Sequence, residues 1–258
     1  MVRLNFDIEL NYDIIGIDSD FIFNVHAAHT AHQSVVSEQL ELNRPLTPLI
    51  YTDPIHGSRY IRLHVSPGPF KLRYTATVDI SHYSVVPDAL GEVPIAVLPS
   101  KVLPYLYPSR YCQSDRLCKL ATWEFGHFSP GYPRVLAIQE WVRKRTAFMP
   151  GSSNSNTSAT DTLLTQTGVC RDFAHLMITL CRAMNIPARF VTGIDYGADP
   201  QLGPTDFHAY VEVFLGDRWF IFDPSGISPP MGLVRLGTGR DAADSSFATM
   251  FGSVKSTM

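Results

Sequence analysis

Charge is sparse in this sequence and nearly balanced. Charged residues make up 17% of the 258 residues, and the formal net charge is −3. Proteins that bind nucleic acid or an anionic membrane surface through electrostatics usually carry a marked excess of Lys and Arg. Because this chain has no such excess, we expect neither kind of partner. A hydrophobic fraction of 45% nevertheless predicts packed domains rather than a disordered chain.

Long apolar runs are also missing. No stretch approaches the length of about 20 apolar residues that a transmembrane helix needs. Near the beginning of the sequence, Asp7 and Asp13 interrupt the apolar pattern that the core of a signal peptide would require. These two features predict a cytoplasmic protein.

Cysteine is scarce, and its spacing carries no metal signal. The cysteines are Cys112, Cys118, Cys170 and Cys181, and no two of them form a Cys-x-x-Cys pair. This spacing gives no support to a structural zinc site and little to a disulfide framework. We therefore expect no metal ion and at least one free thiol. Since a cysteine taken at random is most often a small buried hydrophobe, a chemical role needs a further signal.

The N-terminal part of the sequence carries strand patterns and no convincing helical period. Apolar residues occupy every second position from Leu72 to Ile80, with polar residues between them, as in a half-buried strand. A proline-rich passage between residues 87 and 108 then predicts a stiff connection. We therefore predict an antiparallel β domain of sandwich type over residues 1–108 and a second domain over residues 109–258.

One helix of the second domain is well marked. Apolar residues recur at helical spacing from Cys170 to Met184, and Pro187 ends the pattern. Cys170 falls in the first turn, where free N–H groups and the positive end of the helix dipole favour a thiolate. Cys181 lies deeper in the same apolar stripe, and we interpret it as a core residue.

Two later strands form a predicted hairpin. Residues 207–215 alternate between two faces with the period of a strand, and residues 218–223 form the second strand. The loop between them, Gly216 and Asp217, fits a two-residue type II′ turn. A turn of this length fixes the register and pairs Leu215 with Arg218.

That register places His208 and Asp223 on one face of the hairpin. Tyr210 then lies opposite Asp223, and His208 lies opposite Ser225, so His208 and Asp223 are diagonal neighbours within reach of each other. Trp219 shares this face. Tyr210 and Trp219 are therefore candidates to line a substrate cleft, although core packing explains both residues equally well.

Cys170, His208 and Asp223 form a candidate catalytic trio if the helix start lies against this face. An ordinary thiol has a pKa of about 8.5 and is mostly protonated at neutral pH. An imidazolium at His208 would stabilise the thiolate and later protonate a leaving amine, while Asp223 would hold the ring in the required tautomer. The backbone N–H of Cys170 is a natural oxyanion donor, and Gln166 is a further candidate. Each residue alone is more often structural, but their conjunction favours catalysis.

The motifs that contain these residues resemble the core of the transglutaminase-like superfamily. They are Gly168-Val169-Cys170, His208-Ala209 and Asp223-Pro224. The bacterial branch, whose members are often described as cysteine proteases, is the most similar, and the resemblance extends from about Tyr111 to Val254. The N-terminal region is more weakly similar to the N-terminal domain of that branch.

The resemblance implies an α+β fold, with a papain-like or transglutaminase-like C-terminal core and an N-terminal antiparallel β domain. It also implies acyl transfer from a peptide or protein amide through a thioester. The acceptor stays open, because water would make the protein a peptidase or amidase and an amine would make it a cross-linking acyltransferase. Hydrolysis is slightly favoured, since water needs no second binding site. Animal members need calcium, but no EF-hand-like loop is present, so we expect no cofactor.

Two other functions compete with this interpretation. The alternative is a catalytically silent member of the superfamily that uses the same cleft to bind a protein or peptide. A metal site that joins His208 to His175 or His127 is weaker, because no recognised ligand spacing connects these residues. Fast alkylation of Cys170 by a thiol reagent distinguishes an enzyme from a binding module.

Overall fold

The computed structural model describes residues 1–81, 83–87, 90–196, 206–228 and 233–256. This part of the chain divides into two compact units. The first comprises Met1–Tyr83, Val234–Gly237 and Ser246–Met258, and the second comprises Ser84–Leu233 and Thr238–Ser245. The domain boundary at residue 108 that the sequence suggests stays a prediction.

Strands occur in both units, whereas the α-helices of the described ranges all lie in the second. The strands are β1 Val2–Ile14, β2 Ser19–Phe23, β3 Gln33–Leu42, β4 Leu49–Thr52, β5 Arg59–Val65, β6 Gly68–Ile80, β7 Ala147–Phe148, β8 Thr167–Gly168, β9 Ala188–Asp195, β10 Phe207–Leu215, β11 Arg218–Phe222, β12 Leu233–Gly239, β13 Ala248–Phe251 and β14 Val254–Ser256. The α-helices are α1 Cys118–Phe125, α2 Tyr132–Arg145, α3 Ala159–Thr165, α4 Cys170–Ala183 and α5 Ala242–Ser245. None of the helices in the described ranges is long and apolar enough to cross a membrane.

The first unit is built from two four-stranded sheets. Their strand orders are β14-β1-β6-β3 and β13-β2-β5-β4, and the neighbouring strands are antiparallel. The alternation noted in the sequence of β6 is real, because every second residue from Phe70 to Ile80 is buried. An antiparallel β unit in the N-terminal part of the chain is therefore confirmed.

Aromatic side chains fill the space between these two sheets. Tyr12 on β1 and Phe70 on β6 meet Phe21 and Phe23 on β2, with ring centroids 5.2–6.5 Å apart. Aromatic rings bury large areas and favour tilted or offset contacts at these distances. The first unit therefore has the face-to-face packing of a sandwich.

The second unit is organised around α4. Its strands β11, β10 and β9 are neighbours in that order, and β10 is antiparallel to both β9 and β11. The buried side of α4 packs into one core with alternate residues of β10, and the residues of this contact include Phe173, Ala174, Met177, Leu180, Cys181, Ala209, Val211, Val213 and Leu215. Burial of each large apolar side chain contributes about 1.5–3 kcal/mol. As expected, Cys181 is a core residue and is fully buried.

A short parallel pair of strands leads into α4. β7 pairs with β8, with Ala147 opposite Thr167 and Phe148 opposite Gly168. The N–H of Met149 also donates to the carbonyl of Gly168 at 2.9 Å. These bonds hold the backbone directly ahead of Cys170.

Candidate active site

Cys170 is the first residue of α4. It is partly exposed, and its thiol is not part of a disulfide. Residues in the first turn of a helix have N–H groups without partners within the helix, and these groups and the helix dipole favour a negative charge. The position predicted for Cys170 from the sequence is thus the position that the structure gives it.

Asp172 fixes the start of this helix. Its Oδ2 accepts a hydrogen bond from the N–H of Val169 at 2.9 Å, and it is 1% exposed. A Cβ atom on Gly168 would lie 2.7 Å from the Cβ of Asp172, which is closer than two such atoms can approach. The Gly-Val-Cys motif therefore has a steric reason: glycine makes room for the aspartate that caps the helix beginning at Cys170.

His208 lies on β10, and the register of its hairpin is the one predicted. Leu215 pairs with Arg218, and Val211 pairs with Phe222. His208 is 5% exposed. Its Nε2 lies 3.2 Å from Oδ2 of Asp223, and the hydroxyl of Ser225 is 3.5 Å from the same nitrogen. The structure thus brings together the His–Asp pair and the opposite residue, Ser225, that the hairpin register implies.

Asp223 is held by several donors besides His208. Its Oδ1 accepts from the backbone N–H of Ser225 at 2.9 Å and from the Ser225 hydroxyl at 2.6 Å. Its Oδ2 accepts from the N–H of Ser228 at 3.1 Å. Burial alone would raise the pKa of Asp223, but the hydrogen bonds from His208, Ser225 and Ser228 and the charge of His208 lower it. Asp223 is therefore an ionised partner for the imidazole.

The thiol of Cys170 reaches the same imidazole. Burial tends to lower the pKa of His208, but hydrogen bonds with Asp223 and Cys170 and the negative charges of both groups raise it to about 10. Because Asp223 occupies Nε2, the other ring nitrogen, Nδ1, is the one available to the thiol. The ring therefore interacts with both the Cys170 thiol and the Asp223 carboxylate.

The body of α4 lies on the other side of the sheet from His208. Its core contacts are with Ala209, Val211 and Val213, whereas His208 and Tyr210 have the opposite parity on β10. Since successive residues of a strand point to opposite faces, His208 does not face the body of the helix. Cys170 is the first residue of α4 and His208 is the second residue of β10, so their interaction is at the beginning of both elements.

The other candidate residues from the sequence are Tyr210, Trp219 and Gln166, and they differ in their distance from His208. Tyr210 is fully buried, and its ring contacts the edge of the His208 ring, with centroids 4.5 Å apart. Trp219 packs against Tyr105 and Phe214, at centroid distances of 5.2 and 5.3 Å, at the far end of the hairpin. Gln166 follows α3 in the left-handed conformation, with φ of 56°, and is exposed. Tyr210 is thus beside His208, whereas Trp219 is away from it.

The metal alternative loses one of its two proposed partners for His208, namely His175. His175 is fully buried in α4, where its ring stacks on Tyr111 at 4.9 Å and its Nε2 accepts from the N–H of Ala242 at 3.1 Å. Within the described ranges, no group of three or more His, Cys, Asp and Glu residues is placed to hold a metal ion.

Asp195 is a residue of this site that the sequence reasoning missed. It is the last residue of β9, and its Oδ2 lies 3.8 Å from Nδ1 of His208. β9 is connected to β10 by a long segment rather than by a tight turn, so no register between them is deducible from the sequence. The sequence of β9 has no strict alternation either, so nothing in it assigns Asp195 to a partner.

Comparisons with known proteins agree with the motifs. A family model for the transglutaminase-like superfamily matches residues 126–224, which include Cys170, His208 and Asp223, and a model for the bacterial transglutaminase N-terminal domain matches residues 2–101. The chain is also similar to a solved structure, a "Putative Cysteine Protease" from Cytophaga hutchinsonii. The two chains are 42% identical with a TM-score of 0.91, over 99% of this chain and 90% of that one.

Curated relatives match over shorter lengths. An uncharacterised protein of Mycobacterium leprae is 33% identical over 115 residues, which are 43% of this chain and 41% of that protein. An uncharacterised protein of Mycobacterium tuberculosis is 31% identical over 131 residues, which are 45% of this chain and 42% of that protein. The chain thus matches about two fifths of the length of these relatives. The α+β, transglutaminase-like fold class is confirmed, and the chain belongs to the transglutaminase-like superfamily.

Proposed function

We propose that this protein transfers the acyl group of an amide through a thioester on Cys170. One observation carries the proposal: a buried imidazole is hydrogen-bonded to an ionised carboxylate, Asp223, and interacts electrostatically with a thiol at a helix start. Thiolate and imidazolium are the charged forms that such a pair favours, and this form of cysteine is the nucleophile.

The first half of the reaction forms the thioester. The sulfur of Cys170 attacks the amide carbonyl carbon, and the π electrons move to the carbonyl oxygen. His208 gives the proton on Nδ1 to the amide nitrogen, the C–N bond breaks as the carbonyl re-forms, and the amine or ammonia leaves. The backbone N–H of Cys170 is the expected donor to the oxyanion, and Gln166 remains a candidate for a second one.

The second half releases the acyl group. Nδ1 of His208, now neutral, takes a proton from water or from an amine as that acceptor attacks the thioester carbonyl. The C–S bond then breaks and the thiolate is restored. Asp223 stabilises the imidazolium that forms in this step and keeps the Nε2–H tautomer, which leaves Nδ1 free to accept the proton.

The substrate class follows from the chemistry of the superfamily. We expect a peptide or protein amide, with water slightly favoured over an amine as acceptor and with no cofactor. The balanced charge of the chain supports the absence of nucleic-acid and membrane partners. A cytoplasmic location stays a prediction from the sequence.

Mass spectrometry of the intact protein tests the proposal. The protein is mixed with a panel of glutamine-containing peptides and C-terminal peptide amides, with and without a primary amine, and the reaction is quenched in acid. The expected result is an acyl adduct on the native protein that hydroxylamine removes and that Cys170→Ala lacks. Release of acid or of the new amide identifies the acceptor. Peptides that bind without any adduct or turnover would instead establish a binding module.

A further inference from the structure

Asp195 faces the reactive side of the His208 ring. Residues Gly193 and His208 are directly paired between β9 and β10, and Asp195, two residues along β9, lies on the same face as Gly193. Its carboxylate is 3.8 Å from Nδ1, while Asp223 is on Nε2 at 3.2 Å. The imidazole thus lies between two carboxylates, and the second of them is beside Nδ1, the nitrogen that Asp223 leaves available to the thiol.

The two carboxylates differ in their surroundings. Both residues are 5% exposed. Asp223 accepts hydrogen bonds from Ser225 and Ser228 in addition to His208, whereas Oδ1 of Asp195 is buried with no hydrogen-bond partner among the described residues. A buried carboxylate oxygen without donors is costly, so Asp195 has little besides the imidazolium to stabilise its charge.

The charged groups around Asp195 are mostly acidic. Burial raises the pKa of Asp195, the charge of His208 lowers it, and the charges of Asp223 and Asp206 raise it. Among the described residues, Cys170 and Tyr210 are further titratable groups that face His208. The phenol of Tyr210 is neutral, because burial raises its pKa far above the working range. The imidazolium of His208 is the cation that these acidic groups share.

We propose that Asp195 is a positioning residue that acts on Cys170 through His208: its carboxylate competes with the thiolate for the positive charge of the imidazolium. The inference rests on the proposed function, since it assumes that thiolate and imidazolium form the reactive pair. A carboxylate beside Nδ1 stabilises the imidazolium and repels the thiolate. It therefore moves both titrations, formation of the thiolate and loss of the imidazolium proton, toward higher pH.

The sign of this effect makes a test possible. In Asp195→Asn the charge is removed while the shape is kept, so both midpoints move to lower pH. A carboxylate within a few ångströms of a cation changes its pKa by about 1–3 units, so we expect His208 to titrate about one unit or more lower in the variant. A purely structural defect would instead lower the rate at every pH and leave the midpoints in place.

The experiment follows each titration separately. The rate of Cys170 alkylation by iodoacetamide against pH gives the thiolate midpoint, and the nitrogen NMR shifts of labelled His208 give the imidazolium midpoint. Asp206→Asn is the matched control, because it removes a nearby exposed carboxylate that does not contact the ring and should move either midpoint much less. Asp195→Ser is measured in parallel as a smaller uncharged replacement, so the comparison does not depend on one folded variant.

The outcomes separate this inference from the proposed function. The inference is supported if the thiolate midpoint and the imidazolium midpoint both move to lower pH in Asp195→Asn and in Asp195→Ser. Midpoints that stay in place, or that move in opposite directions, overturn it even if native Cys170 is highly reactive. If native Cys170 titrates as an ordinary thiol with no response to His208, the proposed function fails, and the inference fails with it.

Discussion

Nε2 of His208 and Oδ2 of Asp223 lie 3.2 Å apart across the end of a hairpin. Both residues are 5% exposed, so this bond is formed away from bulk water, where a charge-assisted hydrogen bond is strong. It commits Nε2 to the carboxylate and leaves Nδ1 for the thiol of Cys170. We expect the orientation of the ring, and with it the reactivity of the thiol, to depend on this contact.

Removal of the Asp223 charge should slow the alkylation of the Cys170 thiol. In Asp223→Asn the imidazolium loses its ionised partner, so the pKa of His208 falls from about 10. A shift of about 1–3 units moves the alkaline limit of the thiolate–imidazolium pair down by the same number of pH units, and the loss of the partner that orients the ring lowers the alkylation rate of Cys170 below that limit. The measurement is the iodoacetamide rate constant across pH. Asp217→Asn, at the exposed turn of the same hairpin, is the control and should react like the native protein.

Ser225 should support Asp223 more than it supports His208 directly. Its hydroxyl donates to Oδ1 of Asp223 at 2.6 Å but is 3.5 Å from the ring nitrogen. A hydrogen bond to a charged group contributes about 1.5–3 kcal/mol. We expect Ser225→Ala to lower the free energy of unfolding by about this amount or less, because the backbone N–H of Ser225 still donates. Urea unfolding measures it, and an alkylation rate as low as that of Asp223→Asn would contradict this assignment.

Gly168→Ala should displace the start of α4. The added Cβ would lie 2.7 Å from the Cβ of Asp172, and a Cβ atom cannot rotate away, so the backbone has to move. Overpacking of this kind costs about 1–3 kcal/mol. We expect a lower free energy of unfolding together with slower alkylation of Cys170. Gly91→Ala is the matched control, since a Cβ there meets nothing within 4 Å. Equal behaviour of the two variants would show that the close contact at Gly168 is unimportant.

Glu38 should make the first unit sensitive to acid. Hydrogen bonds from Arg59, and also from Tyr74, outweigh burial and lower the pKa of Glu38 from 4.5 to about 2. Because the folded-state pKa is depressed, the stabilisation is complete above pH 4.5 and is lost as the pH falls toward about 2. Part of it is screened, since Glu38 is partly exposed.

Unfolding by urea across this acidic range tests the role of Glu38. We expect the free energy of unfolding of Glu38→Gln to fall less steeply with decreasing pH than that of the native protein. Glu41→Gln, on the same strand and exposed, provides the matched comparison and should retain the native slope. If the free energy of unfolding of both variants fell with pH as steeply as that of the native protein, groups other than Glu38 would cause the acid sensitivity.

The part of the site on one hairpin was predictable from the sequence. A strand has a period of two and the loop at Gly216 has two residues, so the pairing of His208 with Ser225 and its diagonal contact with Asp223 follow from spacing alone. The helix that begins at Cys170 was equally predictable, because the local spacing of its apolar residues determines it.

Contacts between elements distant in sequence were not predictable in this way. The position of Asp195 beside Nδ1 depends on the pairing of β9 with β10, and no tight turn specifies that register. The pairing of β13 with β2, and of β14 with β1, joins opposite ends of the chain. Trp219 shares the parity of His208 but packs near Tyr105, since a shared face says nothing of distance along the strand.

The most direct test of the central claim is the rate of iodoacetamide labelling at Cys170 against pH, in the native protein and in His208→Ala. The thiolate–imidazolium pair predicts fast labelling that persists well below the pH at which an ordinary thiol ionises, about 8.5, and that collapses to an ordinary thiol titration in the variant. Slow labelling with the same ordinary titration in both proteins would contradict the catalytic account and favour a binding module.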